Sequence, residues 1–331
     1  MLFRRIGIPA LVLIIALGLV LNWPRALAAA YTSISAYHLA QAVVGQDHSP
    51  SHLRQSWTLA LKALQLQPQS VSAARLALRA LTEDGRLPGA ESIDPSKLIE
   101  SADSLSALYA GQVIWKSGDP QQAIELWRSG KDVEYYFVHL GDQAYARGDG
   151  QSALGHYETS RAIDDTPDIR KLQMYSNLCE YEAGRENSTE AVFWCSRAVQ
   201  VQRTVWTLLA LGQAFYKAGD YDTALSTLEE ARILNPSVAG VYYRAGLTSE
   251  KLGQVDRALA YYEKGLELTP SDQYLNWAAG RLYEQTGQLQ RAYCCYLQVA
   301  THGSSQSLVT RANRAVKKLA GKVSAQPCGD R

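Results

Sequence analysis

The sequence lacks a charge of one sign: 33 Lys and Arg stand against 32 Asp and Glu in 331 residues, a formal +1. No field of the whole molecule therefore draws it to nucleic acid or to an acidic substrate, and a nucleic-acid partner is not expected. With 11 Pro and 24 Gly, the chain is also too poor in both for a disordered or collagenous protein. Cysteine is scarce. The five, at 179, 195, 294, 295 and 328, include no Cys-x-x-Cys pair and no His at finger spacing, so no metal site is expected. Adjacent Cys294 and Cys295 point to different sides of any helix they share. An odd total leaves at least one thiol unpaired in an oxidising compartment, and small buried thiols are expected at Cys179 and Cys195 rather than a bridge between them. Missing too are a Gly-x-Ser-x-Gly elbow, a Walker loop, a dinucleotide fingerprint and a His-Glu-x-x-His stretch. The chain thus reads as a non-enzyme without a cofactor. Phe is rare, 4 against 19 Tyr and 7 Trp, which favours rings that pack along one edge and hydrogen-bond along the other.

What is present begins with Arg4 and Arg5 and an apolar run over 6–23, broken only by Gly7, Pro9, Gly18 and Asn22. A helix needs about 20 apolar residues, and at least roughly 17, to span a bilayer. The run is just long enough. Ala26-Leu27-Ala28 after Pro24, read as a breaker, also fits a signal cleavage site, but the length of the run and Trp23 at its interfacial end favour an uncleaved anchor. Residues 1–5 are then a cytoplasmic tail, and the rest of the chain lies on the far side of the membrane as a single-pass protein. If the run is cleaved, the product is secreted or periplasmic.

Self-comparison gives the dominant signal. Gly212, Gly246 and Gly280 follow one another at 34 residues, as do Gly219, Gly253 and Gly287, then Ala224, Ala258 and Ala292, then Leu228, Tyr262 and Tyr296, and finally Pro236 and Pro270. Each column has a mechanical cause. Gly212 and Ala224 lack bulk where two antiparallel helices cross. Gly219 suits the positive φ of a helix end, and Pro236 cannot continue a helix. Gly111, Gly118, Ala123 and Trp127, and then Gly141, Gly148, Ala153 and Tyr157, repeat the pattern upstream.

On these columns, the stretch TVWTLLALGQAFYKAGDYDTALSTLEEARILNP from Thr204 to Pro236 resembles the tetratricopeptide repeat family across its whole repeat. The resemblance implies an all-α, right-handed α-solenoid of helix hairpins with an N-terminal hydrophobic helix and a C-terminal capping helix. Its units are expected at 104–133, 134–167, 168–204 (divergent), 205–238, 239–272 and 273–304, after degenerate repeat-like helices over 31–100. A capping helix follows at 305–320, then a flexible tail at 321–331. In the upstream part, a first helix is expected near Tyr37 and a second ending before Pro68, with His48 and His52 in the loop between them. A metal role for that pair is set aside because no further ligand or fixed geometry is visible.

In the resembled family, the first helix of each hairpin lines a concave groove at fixed offsets from the small residue. That rule assigns partner binding to Trp115, Tyr135, Tyr145, Trp206, Gln213, Tyr216, Lys217, Tyr243, Lys251, Tyr274, Trp277 and Arg281. Aromatic rings with a few donors suit an extended protein or peptide partner, with a glycan as the alternative ligand. The plain alternative for any one ring is packing between neighbouring hairpins. By analogy with membrane-anchored relatives, the expected role is a protein-protein interaction scaffold supporting envelope or polysaccharide assembly.

Overall fold

A computed structural model of the chain describes residues 8–43, 50–90, 93–98, 104–323 and 328, with side chains described from Trp23 onward. All its long elements are helices. In chain order they are α1 (Ile8–Val43), α2 (Pro50–Leu66), α3 (Val71–Glu83), α4 (Ser104–Ser117), α5 (Pro120–Ser129), α6 (Val133–Ala146), α7 (Gly150–Ile163) and α8 (Leu172–Gly184). There follow α9 (Ser188–Val201), α10 (Val205–Ala218), α11 (Tyr221–Leu234), α12 (Ala239–Lys251), α13 (Val255–Leu268), α14 (Gln273–Gln285), α15 (Leu289–His302) and α16 (Gln306–Leu319). The helices fall into two compact units, Met1–Gln143 with Gly155–Thr166, and Ala144–Leu154 with Pro167–Arg331.

In the first unit, α1 runs unbroken through Pro24. Pro24 forfeits one backbone hydrogen bond without ending the helix. The segment near Tyr37 is therefore the end of a 36-residue helix rather than a separate one. It is tied to α2 by Ser35, whose hydroxyl donates to the Ser56 carbonyl at 2.8 Å. Most of the expected anchor, 6–22, lies outside the residues whose side chains are described. No helix among the described residues is long and apolar enough to cross a membrane. A second departure concerns His52, which lies in α2 and not in a loop: Pro50 opens that helix, where a missing N–H costs nothing. His48 lies outside the described residues.

The second unit shows how the repeat columns work. Gly212 faces Leu228, and a Cβ there would lie 2.7 Å from Leu228 Cγ. At Gly246 the same position would be 2.3 Å from Tyr262 Cε1. Each first-helix glycine is the seat for the large residue of its own second helix, so the two columns are one packing device. Gly219 closes α10 at φ 83° and accepts the left-handed turn that Gly253 (72°) and Gly287 (77°) repeat. Asp220 then caps α11 by accepting from the Thr223 amide at 3.2 Å. The last full repeat buries Leu275, Leu282, Tyr283 and Tyr296 against Leu319 of α16, which covers the apolar end of the stack.

Two disulfides cross-link this unit, Cys179 to Cys195 between α8 and α9, and Cys294 of α15 to Cys328. The first differs from the buried thiols expected at Cys179 and Cys195, and the second has no counterpart in the sequence reading. The Cys179–Cys195 bridge joins facing helices of one hairpin whose Cα atoms are 5.0 Å apart, within bridging distance. Cys328 lies within the tail expected at 321–331, of which 324–327 and 329–331 lie outside the described residues. Cys295 is buried and takes part in neither disulfide.

Candidate functional site

Two neighbouring pairs in the row of first helices of the second unit (α8, α10, α12 and α14, continued by α16) are held by a contact that keeps the 34-residue period, α8 with α10 and α14 with α16. Lys217 Nζ donates to the Ala183 carbonyl at 2.7 Å, and Lys318 Nζ pairs with Glu284 at 2.7 Å. In the first unit Lys116 donates to the Thr82 carbonyl in the same spacing. A lysine near the end of one first helix thus satisfies an acceptor at the end of the preceding one, where carbonyls lack intrahelical partners.

A second ladder runs inside the hairpins. Tyr262 donates to Glu250 at 2.5 Å and Tyr296 to Glu284 at 2.9 Å, each across a 12-residue separation. Burial raises both phenols above their ordinary range, and the acceptor carboxylates add to the shift. Glu250 also pairs with Arg281 of the next first helix. Tyr283 of α14 donates to Glu263 of α13 at 2.5 Å, between successive hairpins.

Against this frame the sequence-derived groove residues divide. Trp206 is 65% exposed. It lines a cavity of about 510 Å³ together with Gln213, Lys217, Glu180 and the Cys179–Cys195 bridge. Tyr145 is hydrogen-bonded to Glu180, and burial first, then that carboxylate, push its phenol up to about 12. Tyr274 is 49% exposed with its ring 6.2 Å from that of Tyr243. Tyr216 packs edge-on against Tyr221 at 5.5 Å, and burial raises its phenol while the nearby Lys251 ammonium opposes the rise. Trp277 packs on Tyr296 at 5.2 Å and receives the guanidinium of Arg311 at 4.5 Å. Arg281 sits on the same face, but its ion pair with Glu250 makes it a strut between repeats. In the first unit, Trp115 is 43% exposed and stacks on Trp127 at 5.6 Å, and Tyr135 is half-buried.

Sequence reasoning missed the Tyr-to-carboxylate ladder, although the 12-residue offset between Glu250 and Tyr262 recurs at Glu284 and Tyr296 and was readable. It also missed His38, whose Nδ1 lies 2.9 Å from Nδ1 of His52 across α1 and α2. Nothing in the spacing of 14 residues marks that pair. Among the described residues no group of three or more His, Cys, Asp or Glu is placed to hold a metal ion.

Residues 209–273 and 246–306 match the tetratricopeptide repeat family, so the chain carries tetratricopeptide repeats there. No curated protein sequence matches the chain. Among solved structures it is similar to MamA, at 21% identity over 55% of this chain and 97% of that one, with a TM-score of 0.43. It is similar to YrrB, described as a tetratricopeptide protein with an unusual peptide-binding site, at 17% identity over 54% and 90%, TM-score 0.45. PilF of Pseudomonas aeruginosa is similar at 19% identity over 57% and 89%, TM-score 0.45.

Proposed function

We propose that the protein is a non-catalytic scaffold that captures an extended segment of a protein partner along the first-helix face of its second unit. Tetratricopeptide repeats generally serve protein-protein interaction. The observation that carries the reading here is Trp206, 65% exposed at the edge of an open cavity, with Tyr274 49% exposed farther along the row of first helices. Large aromatic side chains left in water at the edge of a pocket are anchors awaiting a partner, since each buries far more apolar area on binding than it costs in side-chain freedom.

The proposal extends to location. The apolar run at 6–23 tethers the chain to a membrane as a single-pass protein, with the repeats outside the cytoplasm, where the scaffold serves envelope or polysaccharide assembly. The two disulfides support this placement, because such bridges persist in oxidising compartments and are rare in a reducing cytosol.

The deciding experiment is a crosslinked pull-down from native membranes with the full chain and with Trp206→Ala combined with Trp277→Ala. The double variant should keep its helical circular dichroism and lose most of the captured partner. Unchanged capture would remove the groove assignment. Loss of capture on adding soluble oligosaccharide, but not peptide, would replace the protein partner by a glycan.

A further inference from the structure

The near-neutral total charge hides a separation by layer in the second unit. The face of α10, α12, α14 and α16 carries Lys217, Arg244, Lys251, Arg281, Arg311 and Lys318 against two carboxylates, Glu250 and Glu284. The second helices α11 and α13 carry Asp222, Glu229, Glu230, Asp256, Glu263 and Glu267 against Arg232, Arg257 and Lys264, and α15 carries Arg291 and no acid. Both carboxylates of the first-helix face are already engaged, Glu250 by Tyr262 and Arg281, and Glu284 by Tyr296 and Lys318. On α12 and α14 the face is therefore left with cations and no unengaged acid, while Glu180 of α8, at the cavity, is hydrogen-bonded to Tyr145.

Two of those cations are held ready. Arg244 lies over the Tyr243 ring, 5.6 Å from its centre, and Arg311 lies over Trp277 at 4.5 Å. Neither makes an ion pair with a carboxylate among the described residues. Tyr243, Trp277 and Arg311 also occupy one column of the 34-residue repeat, so the two platforms belong to one row. A guanidinium stacked on a ring keeps its fork of N–H donors at the edge, where it takes a carboxylate in two parallel hydrogen bonds.

We infer that the partner segment is an acidic peptide, its Asp or Glu carboxylates taken by Arg244 and Arg311 and its apolar side chains laid against Tyr274 and the cavity edge at Trp206. The inference rests on the scaffold reading above and names the chemistry of its partner. A neutral sugar chain fits worse, because it offers no anionic group to the two guanidinium forks. Steering by the layer of positive charge speeds encounter and weakens with salt.

The test uses the full chain in a neutral detergent and a fluorescein-labelled 12-residue peptide of alternating Glu with Pro and Leu, followed by anisotropy. A Lys-for-Glu peptide and an oligogalacturonate of similar charge serve as comparators. The Glu peptide should bind, the Lys peptide should not, and R244Q with R311Q should weaken binding at least tenfold. Lys264→Gln with Arg291→Gln, on the second helices α13 and α15, should change it less than twofold. Because a neutral residue over Trp277 could loosen the cap, R244K with R311K is run beside it. That variant keeps the charge but loses the fork, and it should weaken binding several-fold with an unchanged melting curve. Peptide affinity indifferent to both Arg pairs would overturn the inference, as would oligogalacturonate binding more tightly than the peptide with the same Arg dependence. Absence of Glu-peptide binding alongside intact, Trp-dependent capture of the native partner would sink the acidic chemistry and leave the scaffold standing.

Discussion

A Cβ on Gly246 would lie 2.3 Å from Cε1 of Tyr262, a ring that is held from its far end by a 2.5 Å hydrogen bond to Glu250. The ring cannot retreat without giving up that bond, so Gly246→Ala should destabilise the second unit by about 1–3 kcal/mol through overpacking. Gly155, in the middle of α7, has nothing within 4 Å of the same position and no positive φ. There Gly155→Ala should stabilise by roughly 0.5–1 kcal/mol, because it removes unfolded-state freedom at no steric cost. Urea denaturation of the two variants should show midpoints displaced in opposite directions, and shifts of the same sign would contradict the packing account. The small-residue column was legible in the sequence because sterics at a helix crossing leave a trace at a fixed spacing. Leu228, Tyr262 and Tyr296 were legible as a column of their own, but Leu228 read as facing the next hairpin, and its place in the seat of Gly212 was not legible. The hydrogen bond that makes Tyr262 rigid was not legible either, since a carboxylate on a helix face looks the same in sequence whether it faces water or a phenol.

At the scale of helices, the capping helix α16 is latched by Lys318 to Glu284. The hydrogen bond from Lys318 holds the Glu284 carboxyl below its ordinary value, burial opposes this, and the Tyr296 hydroxyl adds to the lowering. A carboxyl depressed in the folded state contributes stability that is fully present above its unfolded value, near 4.5, and is lost as pH falls through the lower folded value. Lys318 is 64% exposed, so solvent screening keeps the contribution under about 1 kcal/mol. Lys318→Gln should therefore lower the melting of the α14–α16 end slightly at pH 7 and by less at pH 3. A penalty of the same size at both values would show that the lysine acts by packing alone. Amphipathic spacing made α16 readable, and the same holds for the helices from α8 to α15. Two elements were misread for want of a local signal. Pro24 reads as a stop in isolation, yet α1 continues through it, and Pro50 turns the segment before His52 into the start of α2.

Across the whole molecule, both disulfides lie in the second unit, and no other is formed among the described residues. Their pairing was not legible, because five cysteines spread over the chain fit several pairings and only the fold brings 294 beside 328. The sequence did require an odd thiol, and it is Cys295, buried beside Tyr283 and Tyr296 in the last repeat. Alkylation under non-reducing conditions should therefore label none of the native chain quickly and one thiol per chain in denaturant. Chain-entropy arithmetic assigns about 3 kcal/mol to the bridge spanning 16 residues and about 4 kcal/mol to the one spanning 34. In a stack whose members contact only their neighbours, such a loss is felt locally and does not spread evenly. Reduction should then cut amide-exchange protection in α8, α9, α15 and α16, while α2 and α3, cross-linked by no bridge and tied by Trp57 to the Pro88 carbonyl at 2.9 Å, keep theirs. Exchange measured by mass spectrometry before and after a dithiol reductant reads both at once. Uniform loss along the chain would mean that it folds as one cooperative body, and no loss in α15 and α16 would mean that the tail bridge to Cys328 contributes nothing to the cap.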